Sequence, residues 1–213
     1  MSAHLPAAGS AYGWGGPPAS PAAPGIGVAA RPRWAGAIAV AVIVAGVVLG
    51  GVVADRAIPE PSAGRVAISR PVYMTAAPGW VATSAVGDIT DGLALQKANA
   101  LLIAQILSAS YEGDARQLLD DSIASFREGA AQISFGSERD EDLNGKHASV
   151  VTFSALVSGD GGSGMLDGEL ICLVLQSGGH AYAVFIQVGV PQGNLSAVTD
   201  DVDAMAGSVE ASQ

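Results

Sequence analysis

The run Trp34-Ala-Gly-Ala-Ile-Ala-Val-Ala-Val-Ile-Val-Ala-Gly-Val-Val-Leu-Gly-Gly-Val-Val-Ala54 contains no charged residue. At 1.5 Å per residue, about 20 apolar residues match the ~30 Å hydrocarbon core of a bilayer, so the run reads as a transmembrane helix over 34–54. Two other readings are open to it. A cleaved signal peptide has a shorter apolar core and a shorter leader, although Val52-Val53-Ala54 passes for a weak cleavage site. A buried soluble helix would carry fewer glycines and β-branched residues. Trp34 suits the interface, and Gly46 and Gly50 have the spacing of a close helix–helix contact.

The span divides the chain into unlike parts. Residues 1–33 hold runs such as Gly15-Gly16-Pro17-Pro18 and Pro21-Ala22-Ala23-Pro24. With few large apolar side chains to bury, they are expected to stay disordered. Residues 55–77, punctuated by Pro59, Pro61 and Pro71, read as a juxtamembrane linker. Residues 78–213 have the size and composition of one globular domain, opening at the Pro78-Gly79 turn and Trp80.

Charge narrows the partners. Arg31 and Arg33 are the only charges before Asp55, so all 20 acidic residues lie in the remainder with the other 8 basic ones, a net charge of −12. Such a domain repels phosphate backbones and anionic headgroups, which argues against nucleic acid as a partner. Arg31 and Arg33 on one side nearly balance Arg56, Arg65 and Arg70 on the other, so the basic count does not orient the span. The single cysteine, Cys172, excludes an intrachain disulfide and a thiolate zinc cluster.

Within the domain, Asp114 begins a helix over 114–129, with Gln117 in capping-box position and Leu119, Ile123, Phe126 and Ala130 on one face. Residues 93–107 fit either one helix or two strands joined near Asn99. Asn144-Gly145 marks a hairpin between 131–143 and 147–157. Gly159 to Gly164 reads as a loop, and strands over 168–176 and 180–190 flank Ser177-Gly178-Gly179. Ile171 to Leu175 and Val184 to Ile186 are apolar without alternation, so both sheet faces should be covered. A second helix, capped by Asn194, offers Leu195, Val198, Val202, Met205 and Val209 to the core while Asp200, Asp201 and Asp203 mostly face away. The expected fold is α+β, an α/β/α sandwich with a central antiparallel sheet plus one N-terminal transmembrane helix.

Candidate chemistry is sparse. Asp167 and Glu169, at i and i+2 of a strand, point to one face, as a cation site or acid–base pair would require. His147 and His180 fall at strand ends without a Ser or Cys partner at a recognisable spacing. Glu138, Asp140, Glu141 and Asp142 form an acidic run without the glycine and terminal glutamate of a calcium loop, and read as exposed. The glycine loop lacks the Lys-Ser/Thr of a phosphate loop. No catalytic, cofactor or metal set emerges. Asp167, Glu169 and His180 remain as a candidate interaction surface.

Trp80, the Asp114 helix, the hairpin Asn144-Gly145-Lys146-His147-Ala148, the strand Leu166-Asp167-Gly168-Glu169-Leu170 and the Asp-rich final helix together resemble the PsbP-like superfamily, which includes Ran-binding Mog-type proteins. The nearest likeness is to actinobacterial cell-envelope proteins of the LpqN/LpqT type, over roughly residues 78–211. The resemblance implies an α/β/α sandwich, an exported domain with a cytoplasmic tail, and a binding or assembly role without catalysis. Relatives often carry a lipidated cysteine after the signal; here Cys172 lies deep in the domain, and the membrane helix would replace the lipid. The resemblance leads us to expect a membrane-anchored envelope protein whose domain binds another protein. A small-ligand or lipid carrier is the alternative, and a hydrolase using Asp167, Glu169 or His180 a second one.

Overall fold

The computed structural model describes residues 64–83, 89–129, 132–159 and 162–212. The expected span 34–54 and the tail 1–33 lie outside the described residues. Among the described residues no helix is long and apolar enough to cross a membrane.

The described residues form an α+β domain, a mostly antiparallel sheet assembly with two α-helices among them. Its strands are β1 (Arg65–Ser69), β2 (Val72–Thr75), β3 (Val81–Ala82), β4 (Gly92–Lys97), β5 (Ala100–Ser108), β6 (Ile133–Phe135), β7 (Arg139–Leu143), β8 (Lys146–Gly159), β9 (Gly162–Ser177), β10 (His180–Pro191) and β11 (Glu210–Ala211). Helix α1 spans Ala115–Gly129 and helix α2 spans Thr199–Gly207. The main sheet has the order β3-β4-β5-β10-β9-β8-β6, with β7 also pairing β8; a small sheet has the order β1-β2-β11.

Turn chemistry sets the register. Asn144 and Gly145 take φ of 55° and 79°, the left-handed pair that a two-residue hairpin needs, and Leu143 pairs with Lys146 across them. Gly178 and Gly179 do the same between β9 and β10. The segment 93–107 resolves into two strands, because Ala98 adopts φ 49° and the chain turns back with Lys97 opposite Ala100. The expected glycine loop is shorter than its composition suggested: β8 and β9 pair out to Gly159 opposite Gly162.

The unbroken apolar runs serve two faces. Leu170 and Cys172 of β9 and Phe185 of β10 meet Leu118, Leu119, Ile123 and Phe126 of α1. Their strand neighbours Ile171, Leu173, Val184 and Ile186 meet Val202, Met205 and Ala206 of α2 on the opposite face, together with Ile68, Val72 and Met74 of the small sheet. At α1 the Asp114 carboxylate accepts the Gln117 N–H at 2.8 Å, as the cap predicts.

Three expectations need correction. Residues 65–75 are not linker but strands β1 and β2: Ile68, Val72 and Met74 alternate and are buried, a pattern that the surrounding prolines obscured. The final helix is shorter than its apolar stripe. Leu195–Ala197 form one 3-10 turn, Asn194 makes no side-chain cap bond, and Val209 lies beyond the helix although it is buried. Asp201 and Asp203 do not face away; both engage the core, as described next.

Candidate functional site

Asp167 and Glu169 share a sheet face but have separate partners. Asp167 accepts hydrogen bonds from Ser154 Oγ and the Gly193 N–H, both at 2.7 Å, and so ties the β10–α2 connection to β9. Glu169 is 1% exposed and pairs with Arg139, which also holds Glu141. Buried there, Glu169 cannot present its carboxylate to a partner, so its place in an expected interaction surface is corrected. His180 starts β10, whereas Glu169 lies opposite Val188 on that strand. The rise per residue separates them by roughly 25 Å. His180 is exposed and stacks near Tyr182, with ring centroids 5.9 Å apart. The fold therefore does not assemble Asp167, Glu169 and His180 into one site.

It assembles a carboxylate cluster that the sequence spacing did not reveal. Arg139 and Glu141 of β7, Glu169 of β9 and Asp203 of α2 converge between sheet and helix. Glu169 Oε2 and Asp203 Oδ1 are buried without a hydrogen-bond partner. Burial pushes the Glu169 carboxyl above its ordinary range, against the pull of Arg139. Burial, and then the charge of Glu141, push Asp203 the same way. One guanidinium thus faces three carboxylates. Among the described residues no group of His, Cys, Asp or Glu has a metal-holding arrangement.

Two residues earlier on α2, Asp201 accepts from Trp80 Nε1 at 3.0 Å and from Lys97 Nζ at 2.6 Å. The Lys97 bond holds its carboxyl below the usual range. The expected exposed acidic run is likewise partnered: Arg116 of α1 pairs with Glu138, Ser149 Oγ donates to Asp140 at 2.7 Å, and Asp142 accepts the Gly145 N–H at 2.6 Å. Cys172 is buried against Ser122, and burial raises its thiol to about 12, which removes thiolate reactivity at neutral pH.

The exposed feature of this face is apolar. Leu156 of β8 and Met165 of β9 are register partners, and each is 39% exposed. They form the last row with neighbours on both sides, since the Leu156 N–H donates to Gln132 O at 3.0 Å and the Gln192 N–H to Met165 O at 3.1 Å, and the β8–β9 hairpin runs on from there toward Gly159 and Gly162. The sequence showed both residues as ordinary strand positions; their place at the end of the sheet leaves them exposed.

No family model matches the chain, and no curated protein is significantly similar to it. Solved structures are similar in fold. Cyanobacterial PsbP (CyanoP) from Synechocystis is 14% identical with a TM-score of 0.45, covering 75% of this chain and 99% of its own. The Ran-binding protein Mog1p of Saccharomyces cerevisiae is 11% identical with a TM-score of 0.47, covering 70% and 96%. LpqN of Mycobacterium tuberculosis, involved in cell envelope biogenesis, is 11% identical with a TM-score of 0.44, covering 72% and 87%. These are the PsbP, Mog-type and LpqN proteins that the sequence resembles.

Proposed function

We propose that this protein is a membrane-anchored envelope protein whose domain is a non-catalytic module that docks another protein through the β8–β9 hairpin. The Leu156–Met165 pair carries the reading: two large apolar side chains stand exposed and directly opposite each other at the base of the two-stranded β8–β9 arm. Such a pair offers a small apolar anchor. The candidate carboxylates and thiol nearby are engaged in holding the fold. Under this reading the 34–54 run spans the membrane, the domain is extracytoplasmic, and the Pro/Gly tail is cytoplasmic.

The test is in-cell crosslinking of the full-length protein, comparing wild type with Leu156→Ser/Met165→Ser and with His180→Ala. Loss of one specific envelope protein in the double variant alone, with an unchanged melting temperature, is the expected result. Identical capture by all three proteins would refute docking through this arm. A membrane-impermeant maleimide on a Ser163→Cys variant tests the orientation, since Cys172 is buried.

A further inference from the structure

The seam between α2 and the sheet holds more carboxylates than cations. Glu169 of β9 is 1% exposed; one of its oxygens pairs with Arg139, and the other, Oε2, has no partner. Asp203 of α2 brings a second unpartnered buried oxygen, Oδ1, to the same seam. The Arg139 guanidinium is already divided between Glu169 and Glu141 of its own strand. A buried carboxylate oxygen without a donor is costly, and two of them around one shared cation are costlier still. A proton removes that cost, because a carboxyl is neutral and its O–H is the donor that the seam lacks.

The other groups around Glu169 supply no second cation. Its register partners on β8 and β10 are Thr152 and Val188. Asp167, two residues earlier on the same face, is taken up by Ser154 and the Gly193 N–H. Helix α2 adds Asp200, a further negative charge acting on Asp203. The Leu195–Ala197 turn carries no charge, and Glu210 of β11 pairs with Arg65 at 2.9 Å.

We infer that this seam is a proton-operated latch for helix α2: a proton on the Glu169–Asp203 pair holds the helix on the sheet, and loss of that proton loosens it. Burial raises both carboxyls above their ordinary range. The contribution of the proton is therefore complete below about pH 4 and is lost as pH rises through the raised values. Asp201 takes no part in this response, since its bond with Lys97 holds it below the usual range and it stays ionised across that interval. Beneath Val202, Met205 and Ala206 lie Ile171, Val184 and Ile186 of the sheet. Loosening α2 thus gives the domain, at higher pH, access to an apolar surface that it keeps covered in acid.

Hydrogen exchange of the full-length protein in detergent micelles tests the latch. Protection factors of the Val202, Met205 and Ala206 amides, corrected for intrinsic rates, are followed from about pH 4 to about pH 8. They should fall by up to about tenfold per pH unit until the raised values are passed, and then level off. Asp203→Asn should flatten much of this fall, because an amide does not ionise and brings its own donors, and Asp203→Asn/Glu169→Gln should abolish it. Asp120→Asn, which removes an exposed charge on α1, should leave the fall unchanged. Wild-type protection that stays flat or rises with pH, or an equal fall in wild type and Asp203→Asn, would overturn the inference. Asp203 is only part-buried, so its single variant decides the matter should the double one not fold.

Discussion

The two faces of the central sheet hold their helices by different means. Helix α1 has 15 residues, and its apolar stripe interlocks with Phe153 and Phe185 around Phe126, with ring centroids 6.3 Å and 6.1 Å apart. Helix α2 has 9 residues, too few turns to carry a comparable stripe. It adds charged contacts at its edges: Asp201 to Trp80 and Lys97, and Asp203 beside Glu141 and Arg139. A long amphipathic helix docks through burial alone, whereas a short one leans on polar groups whose worth depends on pH and on partners far away in sequence.

Substitutions separate the two mechanisms. Phe126→Ala should cost about 3–5 kcal/mol in chemical denaturation, with little dependence on pH, because it removes only packing. Arg139→Met should cost about 3 kcal/mol near neutrality by leaving Glu169 buried and unpaired, and less in acid, where Glu169 is protonated. Equal losses at both pH values would break the contrast between the faces. Asp201→Ala should cost about 1–3 kcal/mol, since the fully buried Trp80 loses its acceptor. Because the folded-state pKa of Asp201 is lowered, its contribution is present above the ordinary carboxyl range and fades as pH falls through the lowered value.

Asp203→Asn is the smallest expected effect and has the opposite sign. A carboxyl with a raised folded-state pKa contributes most below its ordinary value, about 4, and that contribution is lost as pH rises through the raised value. The amide removes this loss, so the melting temperature should rise by about 2 °C at neutral pH and stay unchanged in strong acid. A fall at neutral pH would show that the ionised carboxylate is needed on this face.

Local signals were legible where chemistry and position coincide. Asn144-Gly145 and Gly178-Gly179 mark their turns because left-handed backbone is cheap for those residues. The Asp114 cap and the stripe through Phe126 mark α1. The segment 93–107 was ambiguous because its leucines, alanines and glutamines suit a helix. Sheet pairing on both sides, β4 with β3 and β5 with β10, overrode that preference.

What the sequence determined by itself, then, is the antiparallel meander, the main helix, the need to cover both sheet faces and the acidity of the domain. All of these follow from side-chain periodicity and backbone preference over a few residues. Only the tertiary structure brought Arg139 to Glu169 and Asp203, set Trp80 against Asp201, left Leu156 and Met165 exposed together, and placed Gln105 diagonally beside Gln187. Apart from the Leu156–Met165 pair, each of these arises from residues tens of positions apart. Their meeting depends on strand order and register, which short-range spacing does not encode.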